Sequence, residues 1–211
     1  MPKQPEEKRQ RCLVCHYPRK TCVCAWVSRT QNKTQVYVLQ HPSEVNKAKG
    51  TVRLLQLALS NIKVVVGESE SDFTSLRDEI VKQAAQGTSV AVLFPTDSSI
   101  SVEHWGATVA LRQPQAIIVL DGTWRKALKL YHHNPWLAQF RSLVLSTASE
   151  SQYTIRKAPK QEQLSTLEAV ACTLEHLEEF NTQPLYRVFE AMITQQMKMM
   201  PAEVKGRYRC R

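Results

Sequence analysis

From residue 35 onward, short runs of β-branched and other apolar residues alternate with stretches in which apolar residues recur every three or four positions. The short runs predict strands over residues 35–40, 62–66, 89–94, 116–120 and 142–145. Most are apolar on both faces, as expected of strands covered by helices on two sides. The longer-period stretches predict helices over 52–59, 72–86 and 124–131, the second closed by Gly87 at a C-cap position. Further on, Ser165 and Glu168 stand at capping-box spacing ahead of a helix over 165–179, whose Leu167, Val170, Ala171, Leu174 and Leu177 share one face. Pro184 at a first turn opens a last helix that runs to about residue 200. Strands alternating with helices predict an α/β domain built on a mainly parallel sheet. Residues 146–164 lack periodicity and are long for a connection within a compact domain; loops of that length are usually functional or disordered.

Composition adds bounds to this pattern. The chain has 211 residues, 43% of them hydrophobic, enough for one substantial core. It contains no run near the roughly 18 apolar residues of a membrane span, and MPKQPEEKRQ lacks the apolar stretch of a secretory signal. The expectation is a cytoplasmic protein with no membrane partner. The formal charge of +9 is uneven. Residues 1–35 hold 8 Lys/Arg against 2 Asp/Glu, and residues 198–211 hold 5 against 1, leaving 15 against 16 between them. Two basic ends on a neutral body suit a polyanion, because each phosphate neutralised releases counterions; a solvated tail is the plainer reading of KGRYRCR.

Four of the six cysteines, Cys12, Cys15, Cys22 and Cys24, fall within thirteen residues as CxxC and CxC pairs. In a chain without a secretory signal this spacing reads as metal binding before disulfides. Four thiolates complete a tetrahedral zinc site with no position left for water, so the metal supports folding and not catalysis. His16 is surplus to such a site. Arg11, Arg19, Lys20 and Arg29 would surround this knuckle with a basic surface suited to phosphate. The expected organisation is a zinc knuckle over 1–33, a catalytic domain over 34–200 and a basic tail over 201–211.

The segment AIIVLDGTWRKALKL reads as a buried strand, a sharp turn and a helix starting near Thr123. Asp121 then lies at the carboxyl end of a strand, where open α/β sheets place their ligand sites. On local sequence alone, capping of the next helix by Asp121 or Thr123 is as good a reading. DGTW matches the DxTW signature, and here the chain resembles the DTW-domain tRNA-uridine aminocarboxypropyltransferases, relatives of the SPOUT methyltransferase class. RCLVCHYPRKTCVC, LQHPSE followed by TVRLL, LFP at 93–95, and YTIRKAP followed by LSTLEA are similar to that family in the same order, covering nearly the whole chain.

The resemblance implies transfer of the 3-amino-3-carboxypropyl group of S-adenosylmethionine to N3 of a tRNA uridine, with release of 5′-methylthioadenosine, in a SPOUT-like knotted cofactor site. It implies that Leu93, Phe94 and Pro95, then Leu120, Gly122, Thr123 and Trp124, then Leu164, Ser165 and Thr166 wrap the cofactor. The absence of GxGxxG agrees with a site unlike the dinucleotide fold. N3 of uracil is a poor nucleophile while it holds its proton, and Asp121 is the natural general base. Trp124 stands equally for a base-stacking side chain and a core side chain. Arg53 and Arg156 could hold the cofactor carboxylate or an RNA phosphate through the guanidinium fork, or be ordinary surface arginines. His41, ending the first strand, could line the pocket or be structural. Two rival readings are a SPOUT-type RNA methyltransferase and a non-catalytic zinc module that binds RNA. The resemblance does not oblige a dimer.

Overall fold

The computed structural model describes residues 10–107, 114–145 and 164–201. Six strands form one sheet: β1 (Gln35–Gln40), β2 (Ile62–Val66), β3 (Val90–Leu93), β4 (Ile100–Ser101), β5 (Ala116–Asp121) and β6 (Arg141–Val144). All neighbours are parallel and the order is β2-β1-β5-β3-β6-β4. The helices are α1 (Val52–Ala58), α2 (Thr74–Ala85), α3 (Trp124–His133), α4 (Thr166–Glu178) and α5 (Gln183–Lys198). The predicted strands and helices are all present, with ends displaced by a residue or two. β4 is the exception, since two residues offer no period to read.

Alternation along the central strands divides the interior into two cores, because successive side chains point to opposite faces of a sheet. Val36, Val38, Ile117 and Val119 face one core with α1, α4 and α5, where Leu54, Leu174 and Phe189 are fully buried. Tyr37, Leu39, Ile118 and Leu120 face the other, under α2 and α3, with Phe73, Ile80 and Leu130. This two-sided burial explains why the central strands read as continuous apolar runs.

The cysteine-bearing segment is built into the first core. Cys15, Tyr17 and Val23 are buried in it, and the Tyr17 hydroxyl donates to the Gly50 carbonyl at 3.2 Å. The Arg53 guanidinium of α1 lies 4.8 Å from the centre of the Tyr17 ring, a cation–π contact. Burial pushes the Tyr17 phenol up to about 12, so it remains a donor at every physiological pH. Beyond the cysteines, the Glu178 carboxylate at the end of α4 accepts from the backbone N–H groups of Lys33 and Thr34 at 2.8 and 2.9 Å, fixing the entry to β1. Among the described residues no helix is long and apolar enough to cross a membrane. The knot implied by the resemblance depends on the course of residues 146–163, which lie outside the described residues, as do residues 202–211 of the basic tail.

Candidate functional site

Parallel strands deliver their carboxyl ends to one edge of the sheet, and a cleft of about 280 Å³ opens there. Its walls include three segments distant in sequence: Leu93, Phe94 and Pro95 at the end of β3; Leu120, Gly122 and Trp124 at the turn from β5 to α3; and Leu164, Ser165 and Thr166 at the start of α4. Nine of the ten residues expected around the cofactor therefore line one cavity; Thr123, the N-cap residue of α3, is not on its wall. The sequence reading missed Val119, Ala127, Ala169 and the β6 segment Leu143, Val144 and Leu145. The rule that ligands gather at strand ends could have found the β6 residues; the small helical side chains carried no signal.

Each wall has a local cause. Ser165 caps α4 in a reciprocal box, its N–H donating to Glu168 Oε2 at 2.7 Å while Glu168 N–H donates to Ser165 Oγ at 3.2 Å. Gly122 permits the sharp turn out of β5: a Cβ added there would stand 2.8 Å from Lys126 Cβ. Phe94 stacks with Trp124, at 5.5 Å and 14° between planes, and with Tyr131, at 4.7 Å and 17°. Trp124 is 55% exposed, so the core alternative does not hold. Apolar walls, an aromatic face and two hydroxyls at a helix start are a donor set that fits a cofactor carrying a base, a thioether-like sulfonium and a polar tail.

Asp121, 7% exposed, lies beside this wall and not on it. Its backbone pairs in register with Gln40 of β1. Gln40 Nε2 donates to Asp121 Oδ2 at 2.9 Å, and Thr166 Oγ1 donates to Oδ1 at 2.6 Å. The carboxylate thus ties β1, β5 and α4 together at the cleft. The N-cap position of α3 is Thr123, whose side chain makes no capping hydrogen bond. Gln40 went unnoticed in the sequence because nothing local signals a partner 81 residues away.

His41 follows β1 and its side chain accepts from Ser43 N–H at 3.2 Å, while its Nε2 lies 3.0 Å from Glu68 Oε2. Glu68 also pairs with Lys129, which holds its carboxyl below the usual range; His41 adds to that effect. Arg53 donates to the Val45 carbonyl at 3.1 Å besides stacking on Tyr17. Neither His41 nor Arg53 is on the cleft wall, and Arg156 lies outside the described residues.

In the cysteine-bearing segment, the four Sγ atoms of Cys12, Cys15, Cys22 and Cys24 all lie within 4.8 Å of one another. Cys12 to Cys24 and Cys15 to Cys22 are each 3.6 Å. A tetrahedral metal bonded at about 2.3 Å requires edges of about 3.8 Å, so the cluster has the size and chemistry to hold a metal ion. Backbone N–H groups of Cys15 and Val14 lower the Cys12 thiol to about 6, whereas burial, with the neighbouring sulfurs, pushes Cys24 up to about 12. His16 turns the chain between Cys15 and Tyr17 at φ 56°, a left-handed position, and adds no ligand to the cluster.

Comparison with known proteins adds a lineage to this geometry. A family model described as DTW domain matches residues 9–197. A tRNA-uridine aminocarboxypropyltransferase 2 from Macaca fascicularis is 30% identical over 204 residues, covering 94% of this chain and 67% of the relative. The protein of that name from Mus musculus is 30% identical over 202 residues with the same coverage. The one from Drosophila melanogaster is 28% identical over 176 residues, covering 82% and 69%.

Proposed function

This chain belongs to the DTW-domain family, and from that premise we propose that it is a tRNA-uridine aminocarboxypropyltransferase. The observation that carries the reading is the convergence of three family-like segments, 93–95, 120–124 and 164–166, on one cleft beside Asp121. S-adenosylmethionine, bound in that cleft, supplies a carbon activated by its sulfonium for transfer to uridine N3.

The residues of the chain then have separable tasks. Leu93, Leu120, Leu143 and Leu145 exclude water from the reaction and leave little freedom of orientation, which matters because methyl and aminocarboxypropyl transfer differ only in which carbon faces the base. Thr166 Oγ1, already donating to Asp121, can still accept a hydrogen bond, and Ser165 Oγ can still donate one. Trp124 offers its exposed ring to a base. Asp121 takes the N3 proton, its carboxylate oriented beside the cleft by the donors Gln40 and Thr166. The cysteine cluster, none of whose residues lines the cleft, holds a structural zinc, and the basic residues beside it contact tRNA phosphate.

Purified protein incubated with unmodified tRNA transcripts and S-adenosylmethionine tests the reading by nucleoside mass spectrometry. The expected products are aminocarboxypropyl-uridine and 5′-methylthioadenosine in equal amounts. Methyluridine with S-adenosylhomocysteine would instead make the chain a methyltransferase, and no new nucleoside would leave it a binding module.

A further inference from the structure

The basic ends of the sequence are not its only cationic surface. α3 starts at the cleft, where Trp124 forms part of the wall, and extends for ten residues, about 15 Å. It contains Arg125, Lys126 and Lys129 and no acidic residue. Arg125, Lys129 and His132 follow one another at i, i+4 and i+7, so they occupy one stripe, and all three are exposed, as is His133. The neighbouring elements carry nothing similar. α4, on the opposite face of the sheet, holds Glu168, Glu175 and Glu178 with no Lys or Arg. α2, on the same face as α3, balances Arg77 and Lys82 against Asp78 and Glu79.

The pairing within α3 is also uneven. Lys126 turns off the stripe to Glu44, at 2.7 Å, and Lys129 shares Glu68 with His41. Arg125 has no ion-pair partner among the described residues. At the head of the stripe stands the exposed Trp124, its ring stacked on Phe94. An exposed aromatic platform continued by a basic track is the arrangement that binds a single nucleic-acid strand without reading its sequence.

We propose that the exposed face of α3 is a docking track for the RNA backbone flanking the target uridine, with Arg125 and Lys129 on phosphates. The proposal rests on the reading that this cleft is where uridine is modified, and it adds a substrate contact distinct from the knuckle and from the basic tail. An acidic protein partner would need the cations but not the aromatic face at their head.

The test measures binding of unmodified tRNA transcripts across a salt series for the wild-type chain and two double variants. Arg125→Gln/Lys129→Gln removes the track. Arg141→Gln/Lys82→Gln removes the same charge from exposed positions at the start of β6 and the end of α2, away from the cleft. Loss of two single-strand phosphate contacts should make the slope of log affinity against log salt shallower by about 1.4, while the control pair keeps the wild-type slope. Binding of S-adenosylmethionine alone should be the same in all three proteins. An unchanged slope in the α3 variant, or an equal change in both variants, overturns the track. Absence of aminocarboxypropyl-uridine from the wild-type reaction would sink the proposed activity instead, and is read from a different measurement.

Discussion

At the scale of single residues, Asp121 is held by partners that tolerate a subtle substitution. In Asp121→Asn the amide can keep one acceptor for Gln40 and turn its NH₂ toward Thr166, whose hydroxyl can accept as well as donate. Fold and S-adenosylmethionine binding are expected to survive, while single-turnover transfer slows by about 10² to 10⁴, the usual range for a lost general base. Turnover near wild-type would take Asp121 out of the chemistry. Much of this environment was legible beforehand. DGTW and the strand-end rule drew attention to Asp121, and the likeness of LFP and LST to the same family gathered the wall. Gln40 was not, because a β-sheet partner is chosen by register between strands far apart in the chain, and the register is a property of the packed sheet.

At the scale of elements, α4 shows what a local signal can do. Ser165 and Glu168 stand only three positions apart, so sequence spacing alone placed the helix start, and the two reciprocal hydrogen bonds stand where that spacing put them. Ser165→Ala removes the acceptor for Glu168 N–H and is expected to cost about 0.5 to 2 kcal/mol in urea unfolding. Because Ser165 and Thr166 stand at the cleft, the same change should weaken S-adenosylmethionine binding more than an equally destabilising core change such as Ile80→Val on the buried face of α2, which does not line the cleft. Equal losses of affinity in the two variants would make Ser165 a cap and nothing more. The stripe on α3 was hidden by the opposite circumstance. Its residues were plain in the sequence, but exposure and the charge of neighbouring helices become visible only when the elements are packed.

At the scale of the molecule, the cysteine knuckle and the catalytic body share one core through Cys15, Tyr17 and Val23. A chelator that strips the proposed zinc should therefore lower the unfolding temperature of the whole chain in one cooperative transition, seen by calorimetry. A separate low-temperature transition for the knuckle, with the main one unmoved, would contradict that coupling. The boundary drawn at residue 33 followed composition, which registers where cysteines stop but not what their loop packs against. The anchoring of the knuckle through Tyr17 to Gly50 and Arg53, and of the segment after it through Glu178, leaves it little room to swing. If knuckle and cleft both grip RNA as proposed, their constant separation makes them a ruler. A uridine would then be reached only when it lies the matching distance along a folded tRNA from the place the knuckle holds, so inserting base pairs between those points should shift or abolish modification even with the local sequence unaltered.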